Sequence, residues 1–211
     1  MTRPPEPPDA PPVAGLLLAA GGGRRLGGRP KALLRHAGRP LVVHAVRGLH
    51  AGGCHSVAVV LGAGAAEVRR VAGGTGGGLD GCTVVDNPDW EQGMGSSLRT
   101  GLRALAAAAP GAGAALVVLV DQPGIGGAAV ARLRAAYRSP GSLAAASYDG
   151  RRGHPVLLGA AHWPGVASAA EGDLGARDYL RSRAAKVVPV ECGDVADPAD
   201  IDTPQDLDRL R

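Results

Sequence analysis

Residues 15–31 read GLLLAAGGGRRLGGRPK. An apolar run, Val13–Leu18, stops at a loop rich in glycine and arginine, and the loop closes on Lys31. A short aliphatic run bounded by Pro12 and by glycines is the pattern of a buried strand. A strand that opens into such a loop presents bare backbone N–H groups and fixed positive charge at one place, which suits a polyphosphate. The loop is not a P-loop, because no glycine–lysine–Ser/Thr triplet follows. It is not the dinucleotide fingerprint either: counting from Gly21, the third glycine would fall at Leu26.

The rest of the chain places this loop in an α/β fold. Ser56–Leu61, Cys82–Val85, Ala115–Val120, Leu143–Ser147, His154–Leu158 and Lys186–Val190 read as further strands. Between them, residues 40–49, 65–71, 96–105, 128–137 and 174–183 carry helical spacing, and 204–210 forms a terminal helix. Ser96 is placed as the cap of its helix, with Leu98, Leu102 and Leu105 on the core face. Alternating strands and helices predict a mostly parallel sheet covered on both faces. With 211 residues, one domain over 13–211 is expected, preceded by a disordered proline-rich tail over 1–12.

Composition narrows the function. Phe is absent and aromatics make up 2%, so the core must be Leu, Val and Ala. The net charge of +4 comes without a Lys/Arg run or an aromatic-interleaved basic patch, which argues for a small anionic ligand over nucleic acid. Cys54, Cys82 and Cys192 lie far apart with no metal spacing, and they read as reduced thiols in a cytoplasm. The N-terminal tail has no apolar h-region, and no apolar run is long enough for a membrane span.

The string Leu18–Ala19–Ala20–Gly21–Gly22–Gly23–Arg24–Arg25–Leu26–Gly27…Pro30–Lys31 resembles the signature loop of the MobA-like nucleotidyltransferases. It departs by one extra residue before Lys31 and by Gly23 in place of a frequent serine. The resemblance implies a Rossmann-like, three-layer α/β/α nucleotidyltransferase fold. It implies that Leu18–Gly23 wrap an NTP triphosphate, with Arg25 and Lys31 neutralising phosphate oxygens. Val120–Asp121–Gln122–Pro123 resembles the family's D-x-P metal motif, which makes Asp121 a Mg²⁺ ligand; a cap on the next turn is the plainer reading of the same residue.

Three further segments resemble the molybdopterin cytidylyltransferase branch. Asn87–Leu102 leads into the helix below the nucleotide, and Ser96 would touch that nucleotide or merely cap the helix. Gly153–His154–Pro155 and Gly172–Arg177 put His154 and Asp173 on the acceptor side. Asp200–Ile201–Asp202–Thr203–Pro204 resembles the element carrying the second metal carboxylate, Asp200 or its competitor Asp202; a helix cap at Thr203 is equally compatible.

Together the resemblance implies a Mg²⁺-dependent transfer of CMP from CTP to a phosphorylated acceptor, molybdopterin, with a molybdoenzyme as a possible recipient of the product. Ala20 stands where guanine users carry glycine, which favours CTP. A guanylyltransferase, a polyol-phosphate cytidylyltransferase and a non-catalytic cofactor chaperone remain the alternatives.

Overall fold

The computed structural model describes residues 12–74 and 76–211; nearly all of the expected N-terminal tail therefore lies outside the described residues. The apolar run after Pro12 forms β1 (Val13–Ala19), and all seven of its residues are buried. It is followed by the two-residue strands β2 (Arg35–His36) and β3 (Arg39–Pro40), then α1 (Leu41–Ala51), β4 (Val57–Leu61), α2 (Ala65–Ala72) and β5 (Thr83–Asp86). Next come α3 (Met94–Ala108), β6 (Ala114–Leu119), α4 (Gly127–Arg134), β7 (Leu143–Tyr148), β8 (Arg151–Gly159), α5 (Trp163–Ala169), α6 (Arg177–Arg181) and β9 (Val187–Glu191). A 3-10 helix over Pro204–Leu210 closes the chain.

Seven strands make one sheet in the order β5-β4-β1-β6-β8-β7-β9. Only β8 runs antiparallel to its neighbours. Its turn from β7 is tight because Asp149 and Gly150 both take positive φ, 51° and 77°. Side chains along β1 alternate between the two layers. Leu17 and Ala19 join a core with α1 and α4, whereas Leu16 and Leu18 join one with α3, α5 and α6. A strand buried on both faces must be apolar throughout, which is why this run carries no alternation.

Gly101 lets α3 lie close on the sheet. A Cβ there would stand 2.4 Å from Leu16 Cδ1 and 2.9 Å from Val60 Cγ2. Leu116, fully buried and paired with Gly15 of β1 and Leu157 of β8, sits at the centre of the sheet. Leu116→Ala is expected to cost about 2–5 kcal/mol, read as a lower urea midpoint at unchanged slope.

Two local expectations are corrected, and one helix is added to those expected. The helix after the Trp90 turn begins at Met94 with Gly93 as its cap, so Ser96 lies inside it. The segment expected as helix over 174–183 is helical only over Arg177–Arg181, after a 3-10 turn over Gly172–Leu174; Gly175 at φ 54° interrupts it. Residues 163–169 form α5, with a proline in its first turn.

Candidate active site

The glycine loop leaves the C-terminal end of β1, a place where open α/β sheets gather ligands. Gly23 adopts the left-handed region at φ 58°, and its carbonyl accepts the N–H groups of Leu26 (2.8 Å) and Gly28 (3.0 Å). The Lys31 N–H reaches back to the Gly21 carbonyl at 3.4 Å and closes the loop. Trp90 packs over it: a Cβ on Gly22 would fall 2.9 Å from the indole ring. Among the described residues, no acceptor takes the backbone N–H of Gly21, Gly22 or Gly23.

Lys31 crosses from this loop to the carboxylates. Its Nζ donates to Asp121 Oδ2 at 2.7 Å and also to Asp202 Oδ1. Burial opposes the charge on Lys31, but the Asp121 and Asp202 carboxylates outweigh it and hold the ammonium above its ordinary pKa. The two acidic segments are joined by backbone as well, since Ile201 N–H donates to the Asp121 carbonyl at 2.9 Å. Ile201 itself is fully buried, which fixes Asp200 and Asp202 on either side of it. Asp206 Oδ2 then accepts the N–H groups of Asp202 (3.1 Å) and Thr203 (2.8 Å) in a capping box.

Asp200 is raised above the usual carboxylate range, first by burial and then by the like charge of Asp121; a hydrogen bond from Gln122 partly offsets this. Two carboxylates that repel each other near the glycine loop fit a hard divalent cation. The described residues hold no cluster of three or more His, Cys, Asp or Glu side chains suited to a metal. Such an ion would therefore complete its shell with water and phosphate oxygens, as Mg²⁺ does.

Two concavities meet at this edge. The smaller, about 320 Å³, lies over the loop and is bordered by Ala20, Gly21, Gly22, Lys31 and Asp121. The larger, about 820 Å³, has an aliphatic floor from residues such as Leu98, Val117 and Leu158, with Arg151, Arg152 and Arg177 at its edge. Leu18, Met94, Leu119 and Asp173 border both. Asp173 therefore sits at the boundary, while His154 and Asp200 belong to the larger cavity.

Not every residue expected at the site is there. Both arginines are exposed; Arg24 borders the smaller cleft, 4.0 Å from Glu91, whereas Arg25 does not border it. Successive residues of a 3-10 turn point about 120° apart, so the two arginines leave the turn in different directions. Ala19 turns into the α1 core. Ser96 has its hydroxyl committed to the carbonyls of Asp89 and Gly93, both at 2.9 Å, and accepts from Asn87 at 2.8 Å. Its neighbour Ser97, which accepts from Asn87 at 3.0 Å, is the serine on the cleft wall. Gln122 was passed over. Its amide N–H donates to Pro198 O at 3.0 Å, which leaves Oε1 buried without a partner beside the larger cavity.

The His154 imidazole is pushed down to about 4, chiefly by burial, with the Asp121 carboxylate opposing and the Arg177 guanidinium reinforcing. The unfolded ring titrates near ~6.5, so it takes up a proton before the folded ring does. Its contribution to stability is therefore complete above that pH and is lost as pH falls towards 4. His154→Asn should flatten the loss of urea midpoint between these limits.

Residues 15–187 match the profile of the MobA-like NTP transferase domain. The chain belongs to that family. Over 209 residues it is 43% identical to the nicotine blue oxidoreductase of Paenarthrobacter nicotinovorans, covering 96% of this chain and 98% of that protein. A shorter match, 44% over 86 residues, is to the CMP-5'-(3-aminopropyl)phosphonate synthase of Streptomyces rubellomurinus, covering 39% of this chain and 14% of that one. Among solved structures, a Mycobacterium tuberculosis protein in complex with manganese superposes with a TM-score of 0.70 at 26% identity, over 94% of this chain and 97% of that one. The fold is thus the Rossmann-like nucleotidyltransferase fold of the family. Among the described residues, no helix is long and apolar enough to cross a membrane.

Proposed function

We propose that this protein transfers CMP from CTP to the phosphate of molybdopterin and releases pyrophosphate. The observation that carries the reading is the meeting of Lys31 and Asp121 beside the open N–H groups of the glycine loop, with Asp200 within reach of the Asp121 charge. An acceptor phosphate has a second pKa near ~6 and is already largely a dianion at neutral pH, so its attack on the α-phosphorus needs no side-chain base. The barrier is the approach of two polyanions, and it is lowered by placing positive charge where negative charge gathers.

In this reading the loop N–H groups and Arg24 hold the β- and γ-phosphates, and Lys31 follows the leaving pyrophosphate. A Mg²⁺ ion held by Asp121 and Asp200 would neutralise phosphate oxygens and align the reacting groups. The acceptor enters from the larger cavity, where the arginine edge suits its phosphate and the aliphatic floor suits a flat ring system. Asp173 and His154 line its path. Ala20 at the cleft narrows the space beside the backbone and favours cytosine over a purine. The name of the Streptomyces relative, a CMP-conjugate synthase, supports the same base.

The test is pyrophosphate release with each NTP and molybdopterin. Turnover confined to CTP supports the reading, and turnover or thermal protection by GTP in its place overturns the base assignment. On the cleft wall, Arg24→Ala should weaken CTP binding about tenfold, as expected for one charged phosphate contact. Arg25→Ala should change it by less than about twofold, because Arg25 does not border the cleft and an arginine screened by solvent gains little from a distant phosphate. Isothermal titration separates the two.

A second reading is favoured by the relative that matches over nearly the whole chain, an oxidoreductase by name. The loop would then hold an anionic group of a reductant, and the larger cavity a planar oxidant. Reduction of nicotine blue, read as loss of its colour, without pyrophosphate release from any NTP, would establish that reading instead.

A further inference from the structure

We propose that Lys31 is an internal counter-ion that holds a divalent cation off Asp121 until a polyphosphate draws its ammonium away. The inference rests on the cytidylyl-transfer reading, since it concerns the loading of the same site.

Asp121 is the carboxylate a metal would need, and Lys31 Nζ already stands 2.7 Å from its Oδ2. The ammonium is well sheltered, with 13% of the Lys31 side chain exposed, so solvent screens it little. A Mg²⁺ ion sits about 2.1 Å from its carboxylate oxygen. With Lys31 still in place, two cations would share one carboxylate at about 4 Å, and their repulsion there lowers metal affinity by tenfold or more.

The lysine can leave Asp121 without losing its other partner. The backbone of Asp202, its second acceptor, is fixed by the capping box of Asp206 and Thr203 and by the buried Ile201 beside it. Lys31 is therefore tethered at Asp202 and free to turn at Asp121. On the side to which it can turn lie Gly21 and Gly22, whose N–H groups have no acceptor among the described residues. A triphosphate bound there offers the ammonium anionic oxygens and releases the Asp121 carboxylate. Metal and nucleotide then load together, and Asp202 serves as a positioning residue for Lys31 and not as a metal ligand.

The test is Mn²⁺ binding followed by EPR, with no nucleotide present, on the full chain and on Lys31→Met. The expected result is that Lys31→Met binds Mn²⁺ at least tenfold more tightly than the wild type. Lys31→Gln, which keeps a donor for Asp202, is the second variant and should show the same gain; far-UV circular dichroism checks that both are folded. Equal Mn²⁺ affinity in wild type and variants overturns the counter-ion role but leaves cytidylyl transfer, read by pyrophosphate release, standing. Absence of Mn²⁺ binding in all three proteins, with and without inorganic triphosphate, overturns both.

Discussion

Asp121→Asn is expected to lower CTP-dependent pyrophosphate release by about a thousandfold or more, the scale of losing a main electrostatic element of a transfer site. The amide keeps the shape of the side chain and one of its oxygens, so the backbone bond from Ile201 N–H to the Asp121 carbonyl is untouched. What is lost is the negative charge. With it goes the partner of Lys31 at 2.7 Å and one of the two carboxylates able to hold a cation. The thermal midpoint should move only a few degrees, because the side chain lies at the sheet edge and outside the core. The same variant separates the two functional readings. A hydride transfer needs no metal carboxylate, so an oxidoreductase would keep most of its turnover in Asp121→Asn.

Gly23→Val should abolish nucleotide binding to the limit of detection, a loss of at least about a hundredfold, by a different route. Gly23 holds φ 58°, where a β-branched residue is strained, and a Cβ there would stand 2.2 Å from the carbonyl oxygen of Arg29. Neither the carbonyl nor the φ can give without opening the turn that brings Lys31 back to Gly21. The sheet does not depend on that turn, since β1 ends at Ala19, before the loop begins. Titration with CTP should therefore show no binding, while the urea slope keeps its wild-type value. Gly21→Ala is the matched control. Its Cβ would meet nothing within 4 Å, and its effect should be within a few-fold.

The fold was legible because its central strands declare themselves. β1 and β6 are unbroken aliphatic runs that each end at a chemically distinct residue, Gly21 or Asp121. Their parallel pairing puts both ends on one edge, so the meeting of Lys31 and Asp121 follows from topology. Less was legible where two similar residues stand side by side. Arg24 and Arg25, or Ser96 and Ser97, differ only in which way a single turn points them, and that is set by packing. Leu26 and Trp90 orient the arginine turn, and Asn87 with the Gly93 carbonyl consumes Ser96.

The acidic pair near the C-terminus shows the same limit in another form. Asp200 and Asp202 both reach the site, on opposite sides of Ile201, and they differ in what they meet. Asp202 meets the lysine, and Asp200 meets the like charge of Asp121 and the Gln122 amide. No pattern of residues within 200–204 encodes that difference. It depends on Lys31, which lies 171 positions away in the chain. Residues 163–169 stand outside every expected helix, although Pro164 lies in the first turn, where a proline costs a helix no hydrogen bond.

The most direct measurement is a crystal structure of the full chain with Mg²⁺ and a non-hydrolysable CTP analogue. The triphosphate is expected on the N–H groups of Gly21 and Gly22, with Lys31 turned from Asp121 towards phosphate and the metal between Asp121 and Asp200. A nucleotide bound elsewhere, or one seated on the loop with its phosphates pointing away from Asp121, would contradict the account.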